Sequence, residues 1–394
     1  MATGAAFEIA LPARVLFGAG VVAQVPAAVR ALGTRALVVT GRAPDRAQAL
    51  VAALEGGGVV PTVWPLDAAG EPTVDSARAG VAAGRAAGCD VVVAFGGGGA
   101  LDVAKAIAAL LGNGGDPLDY LEVVGRGQPI TKPSLPLVAI PTTAGTGSEV
   151  TRNAVLASPQ HQVKASLRSP LMLPRLAVVD PDLLAALPRA VIASGGLDAL
   201  SQLIEPFVSS KANPVTDGWA REGMRRSARA LRAAFAGGLA GADAAALRED
   251  LACASLLGGL CLANAGLGAV HGLAAPLGGS FAAPHGAVCA ALLPHALAVN
   301  LRAMNERAPG HPWLARFDQV AALLTGRREA TAADGIAWVR ALVAALGIPP
   351  LSRHGLTAAH IPGLVAQAKV ASSMKANPVA LTDAEIAEIA SAAM

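Results

Sequence analysis

Over the first 184 residues, short apolar runs recur with helix-sized segments between them. Ala36–Thr40 (ALVVT), Thr62–Leu66 (TVWPL), Asp90–Gly99 (DVVVAFGGGG) and Leu135–Thr143 (LPLVAIPTT) read as strands. Arg46–Leu54, Thr73–Ala87 and the ALDVAKAIAALL segment after the glycines read as helices. The strands lack clean alternation of apolar and polar residues, and a helix separates each from the next. That pattern predicts a parallel sheet covered on both faces. Beyond LAVVDPDLL (Leu176–Leu184) strand-like runs become scarce, and long Ala/Leu-rich segments dominate. The expected organisation is an α/β dinucleotide-binding domain over 1–186 and an all-helical metal- and substrate-binding domain over 187–394.

Composition narrows the function classes. At 53% hydrophobic and 15% charged residues, the chain is too apolar for disorder. A net charge of +3 without a Lys/Arg run argues against a nucleic-acid footprint. Cys89, Cys253, Cys261 and Cys289 show no C-x-x-C spacing. This argues against a disulfide framework or a Cys-based zinc site and fits a reducing compartment. Near the N-terminus, Glu8, Pro12 and Arg14 interrupt the apolar residues too early for a secretion signal. Leu251–Leu301 contains no Asp, Glu, Lys or Arg, and Cys253–Val270 has the length of a membrane span. It carries Asn264 and lacks an aromatic belt, so it is expected to be a helix buried in a helical domain. A cytoplasmic protein without membrane or nucleic-acid partners is expected.

Two strand ends carry chemistry. Gly96–Gly99 stand between a strand and a helix expected to begin near Leu101. Glycines allow close backbone approach and positive φ, and the free N–H groups of a helix start suit a phosphate. Asp102 follows in the first turn. The loop is neither G-x-G-x-x-G nor Walker A, but its place at a strand end suits a pyrophosphate. PTTAGTGSE (Pro141–Glu149) ends the next strand with Thr142, Thr143, Thr146 and Ser148 as hydroxyl donors. Downstream, Asp198 and Gln202 in GGLDALSQLIE share a helix face at i, i+4. His271 and His285 lie in the charge-free stretch. One carboxylate, one amide and two imidazoles suit a mixed N/O site for Zn2+ or Fe2+.

Taken together these pieces resemble the iron-containing (group III) alcohol dehydrogenases along nearly the whole chain. The resemblance rests on RVLFGAG, EPTVDSARAG, FGGGGALDVAKAIA, IPTTAGTGSEVT, KASLRSPLMLPRLAVVDPDL, GLDALSQLIEPFVSSKANPVTD, VHGLAAPLGG, PHGAVCAALLPH and NPVALTDAEI. It implies a Rossmann-like N-terminal domain and a helical C-terminal domain, the dehydroquinate synthase-like fold. It implies metal-dependent hydride transfer between NAD or NADP and a small alcohol, aldehyde or ketone, by a homodimer or larger homo-oligomer. Gly97, Gly98 and Gly99 match the pyrophosphate loop and Asp102 the acid after it. Thr142, Thr143 and Ser148 match the second cofactor loop, and Lys164 a lysine that reaches the cofactor. Asp198, His271 and His285 match three of four metal ligands at the catalytic centre, with Fe2+ expected first and Zn2+ second.

Four positions depart from the family pattern. Gln202 stands where the family has a histidine ligand, and Ala275 where a histidine near the substrate is common. Gly99 replaces a serine. Gly41 replaces an aspartate set against the ribose 2′-hydroxyl, which removes repulsion of a 2′-phosphate beside Arg42 and makes NADPH use a specific expectation. The alternatives on this fold are a metal-independent reductase, with Gln202 marking a decayed site, and a zinc enzyme resembling glycerol dehydrogenases. Maleylacetate reductase activity ranks lower, because TAGTGSE and VHGLAA differ from the sequences usual there. A lyase resembling dehydroquinate synthase and a non-catalytic nucleotide-binding protein complete the rivals.

Overall fold

A computed structural model of the chain describes residues 6–66, 71–161, 163–281 and 283–394. It divides into two compact units, Ala10–Ala185 and Ala186–Met394 with residues 6–9.

The first unit contains β1 (Val15–Phe17), β2 (Arg35–Thr40), β3 (Val60–Pro65), β4 (Val91–Gly96), β5 (Leu137–Pro141), β6 (Asn153–Ser158), β7 (Val163–Arg168) and β8 (Leu176–Val179). Six of these form one parallel sheet in the order β1-β8-β5-β4-β2-β3. Its helices are α1 (Val25–Arg30), α2 (Gln48–Gly56), α3 (Val74–Ala86), α4 (Gly98–Asn113) and the short α5 (Pro117–Tyr120). Successive strand residues feed opposite cores. Leu37, Val39, Val92 and Ala94 pack with α3 and α4. Ala36, Val38, Val91 and Val93 pack with α1 and α2. Both faces are therefore buried, which is why these strands read as unbroken apolar runs.

Three sequence expectations need correction. The antiparallel pair β6–β7 is not predicted by the apolar runs. Its residues, NAVLAS and VKASLR, include Ala, Ser and Lys, and β6 buries only alternate positions. Helix α4 begins at Gly98 rather than near Leu101. Glycine is a poor helix former, but a Cβ on Gly98 would lie 2.6 Å from Thr146 Cγ2, so packing sets the start. None of Gly96–Gly99 has positive φ; in the second loop Gly147 does, at +59°. The first glycine loop provides close approach, and the left-handed turn lies in the other one.

The second unit is built from α6 (Arg189–Val208), α7 (Pro214–Gly237), α8 (Ala245–Ala265), α9 (Ala269–Ser280), α10 (His285–Arg307), α11 (Leu314–Thr325), α12 (Ala332–Ala345), α13 (Ile361–Val370) and α14 (Asp383–Ala392). Helix α6 is buried continuously from Gly196 to Val208. The expected single helix over Cys253–Val270 is instead α8 and α9, bent by 100° across Gly266–Gly268. Gly266 takes φ +69°, a left-handed stop that an L side chain resists. Among the described residues, α10 alone is by itself long and apolar enough to cross a membrane, and 78% of its apolar window is buried inside the protein.

Candidate metal centre and cofactor loops

Asp198 projects from the middle of α6, His271 from the first turn of α9, and His285 opens α10. A Cβ on Gly286 would lie 2.3 Å from the Ser194 carbonyl oxygen and 3.3 Å from Asp198 Cβ. Only glycine therefore lets the start of α10 come this close to α6, and this closeness brings His285 to Asp198. Asp198 Oδ1 lies 3.3 Å from His271 Nε2 and 3.8 Å from His285 Nε2. Asp198 and His271 are buried, whereas the His285 side chain is 40% exposed.

Glu205, two turns beyond Asp198 on α6, fixes the His271 ring. His271 Nδ1 donates to Glu205 Oε2 at 2.6 Å, and the Val270 amide donates to Glu205 Oε1 at 2.7 Å. With its proton on Nδ1, the ring turns the Nε2 lone pair toward the Asp198 carboxylate. Asp198 Oδ1, His271 Nε2 and Gln202 Oε1 are all buried without a hydrogen-bond partner. Orphaned buried polar atoms cost free energy; Asp198 Oδ1 and His271 Nε2 face each other at 3.3 Å and call for a cation between them, while Gln202 Oε1 lies beside Gly258 of α8. The residues present therefore fit a divalent ion. Cys289 completes the group. Its sulfur, the Asp198 oxygen and the two imidazole nitrogens lie within 4.8 Å of one another.

Electrostatics agree. Burial pulls the His271 imidazole down, but Cys289, Asp198 and Glu205 outweigh it and hold it well above its ordinary value. The facing Cys289 likewise lifts His285 to about 9, against burial and with help from Asp198. Burial alone would raise Asp198; the two imidazoles bring it below the usual carboxylate range. A bound ion takes the place of protons at such a site.

Sequence reasoning missed Glu205 and Cys289. Asp198, Gln202 and Glu205 follow at i, i+4 and i+7, and His285 and Cys289 at i and i+4, so helical spacing carried both signals. The C-x-x-C criterion does not register a single cysteine brought to a mixed group by the fold.

The residues expected at the cofactor form a second, closed constellation. Gly97 caps α4, and a Cβ there would sit 3.3 Å from Thr143. The Thr142 amide donates to the Gly96 carbonyl at 2.9 Å, so the two loops interlock. Thr142 is buried and Thr143 half-buried. The Ser148 hydroxyl donates to Asp102 Oδ1, and the Val155 amide to Asp102 Oδ2 at 3.0 Å. Because α4 starts at Gly98, Asp102 lies beyond its first turn rather than in it, and there it ties α4 to the second loop and to β6. Lys105, fully buried, donates to the Ser148 carbonyl at 3.0 Å, to Thr151 Oγ1 at 2.8 Å and to the Asn153 carbonyl. Burial lowers the Lys105 ammonium despite Asp102 and Glu149. It also raises buried Glu149 to about 7. Lys164, on β7, pairs with Glu71 at 2.7 Å. Gly41, just past β2, has open space where a side chain would stand.

The family model of iron-containing alcohol dehydrogenase matches residues 12–181, and that of the Fe-containing alcohol dehydrogenase C-terminal region matches residues 192–394. The chain belongs to the iron-containing alcohol dehydrogenase family. It is 35% identical over 401 residues to a 1,3-propanediol dehydrogenase of Klebsiella pneumoniae, covering 97% of each chain. An NAD-dependent methanol dehydrogenase of Bacillus methanolicus is 34% identical, over 75% of this chain and 77% of that protein. The crystal structure of a 1,3-propanediol oxidoreductase superposes with a TM-score of 0.89 at 33% identity, over 99% of this chain and 100% of that one. As a member of the iron-containing alcohol dehydrogenase family, the chain is an oxidoreductase acting between alcohols and carbonyl compounds.

Proposed function

We propose that this enzyme interconverts a small alcohol and its aldehyde or ketone with NAD(P), and that Asp198, His271 and His285 hold the divalent ion this requires. The observation that carries the reading is the set of buried atoms without partners, Asp198 Oδ1, His271 Nε2 and Gln202 Oε1. When bound, the ion supplies Lewis-acid polarisation of the substrate oxygen and the nicotinamide supplies hydride exchange. Glu205 is a positioning residue that keeps the His271 proton on Nδ1, away from the centre. Asp198 supplies the fixed negative charge.

On the cofactor side, the Gly97–Gly99 stretch and the start of α4 present backbone N–H groups to the pyrophosphate. Thr142 and Thr143 would contribute the second loop, and Lys164, held by its pair with Glu71, would hold the cofactor beside them. Asp102 and Ser148 act by holding the two loops together. The open space at Gly41, beside exposed Arg42, leaves room for a 2′-phosphate and supports NADP as well as NAD. The enzyme is further proposed to work in the cytoplasm as a homodimer or larger assembly, with the cofactor domain ending near residue 186 and the metal domain following it.

Elemental analysis of protein purified without oxygen or chelator tests the reading, paired with an alcohol and aldehyde panel using both nicotinamides. About one equivalent of metal per chain is expected, with turnover lost on chelation and restored on adding metal. Undiminished turnover in metal-free protein would establish the metal-independent reductase instead. Equal or better kcat/KM with NADH than with NADPH would count against the 2′-phosphate reading.

A further inference from the structure

We propose that the Cys289 thiolate is the fourth protein ligand of this centre, giving an Asp–His–His–Cys site that selects zinc over iron. The inference rests on the metal-dependent reading above and goes beyond it in ligand and in metal. Three observations carry it.

The first is geometric. A four-coordinate zinc with bonds of about 2.05 Å to nitrogen and oxygen and about 2.3 Å to sulfur separates N from S by ~3.6 Å and N from O by ~3.4 Å. Cys289 Sγ lies 3.6 Å from His285 Nε2, and Asp198 Oδ1 lies 3.3 and 3.8 Å from the two imidazoles. Three of the six edges of such a polyhedron already have these lengths, and all four donor atoms lie within 4.8 Å of one another. The second is placement. Cys289 follows His285 by one helical turn on α10 and is fully buried, facing buried acceptors that lack partners.

The third is charge. Gln202 is the rival for the fourth position, since its Oε1 is also orphaned. With Gln202, one carboxylate and neutral ligands leave a divalent centre at +1 in a buried site. With Cys289, carboxylate and thiolate ligands together balance the charge of the ion, and Glu205 behind His271 adds one further negative charge in either case. Binding breaks the S–H bond, forms the sulfur–metal bond and releases the proton to solvent. Thiolate is a soft ligand that suits zinc, whereas carboxylate and imidazole alone leave the choice open. The centre with the thiolate is also a weaker Lewis acid than the one with Gln202.

The test uses the full-length protein loaded with zinc, and with cobalt(II) in its place. X-ray absorption should show one sulfur at about 2.3 Å from zinc, and the cobalt protein should show sulfur-to-metal charge-transfer absorption. Both signals should vanish in Cys289→Ala and Cys289→Ser and persist in Cys253→Ala and Gln202→Ala. Zinc affinity should fall at least roughly tenfold in Cys289→Ala, and competition between zinc and iron should shift toward iron. A wild-type protein that binds one zinc through nitrogen and oxygen alone overturns the proposal and leaves the metal-dependent reading standing. A wild-type protein that binds neither zinc, cobalt nor iron overturns both. The wild-type sulfur signal decides the question even where a variant fails to fold.

Discussion

The chain holds two buried polar clusters that solve opposite problems. Around Lys105, in the α/β unit, the ammonium donates to three oxygens, and Asp102 accepts from Ser148 and Val155. Around Asp198, in the helical unit, three buried polar atoms have no partner. A closed network of this kind holds structure, ordering two loops and a hairpin about one helix. An open one stores unpaired polar groups at a cost of order 1–3 kcal/mol each, which a ligand can repay. Burial and charge are similar in the two; satisfaction of the donors and acceptors is what separates scaffold from site.

The comparison breaks most visibly at Asp198. Asp198→Ala should abolish metal binding and lower turnover by several kcal/mol, roughly a thousandfold, while thermal unfolding shows an intact fold. Retained metal with retained activity would refute the ligand assignment. Lys105→Met should do the reverse. Removing one partner of a buried charge network costs about 3–5 kcal/mol, so denaturant unfolding should reveal a strong loss of stability with metal affinity unchanged in the protein that remains folded.

Glu149 sharpens the contrast by pH. Its carboxyl is raised from 4.5 to about 7 by burial. The unfolded chain therefore releases this proton before the folded one does, and the stability it contributes is lost as pH rises through that window. Glu149→Gln removes the dependence. Measured by urea unfolding, it should gain on wild type above pH 7, with a ceiling of roughly 3 kcal/mol, and gain nothing near pH 4. A pH-independent difference would place the charge elsewhere. The smallest effect is expected at Glu205. Glu205→Gln keeps the shape but weakens the hold on His271, and should lower metal affinity by about 10–100-fold without eliminating binding.

Much of the architecture was legible locally. The apolar runs at Ala36–Thr40 and Asp90–Gly99 fall on β2 and β4, because burial on both faces leaves no polar alternation to mask a strand. The Thr73 start of a helix was equally readable, since Thr73 and Ser76 form a reciprocal cap. The β6–β7 hairpin was not, because its Ala, Ser and Lys residues carry little strand preference. The continuous apolar stretch after Leu251 concealed the sharp bend at Gly266, where the chain needs a left-handed residue that hydropathy does not register.

For the site, the sequence by itself determined which residues had unusual chemistry for their surroundings: Asp198 and Gln202 on one helix face, and His271 and His285 in a stretch without charges. Short-range periodicity suffices for that. The tertiary structure alone decided what those residues meet. Glu205 grips a ring 66 positions away, Asp102 holds an amide 53 positions on, and Cys289 brings its sulfur within 4.8 Å of the Asp198 oxygen and both imidazoles. The physical reason is that a helix fixes neighbours three and four residues apart, whereas contacts between helices depend on how closely the backbones approach. At Gly286 that approach is set by the absence of a single Cβ.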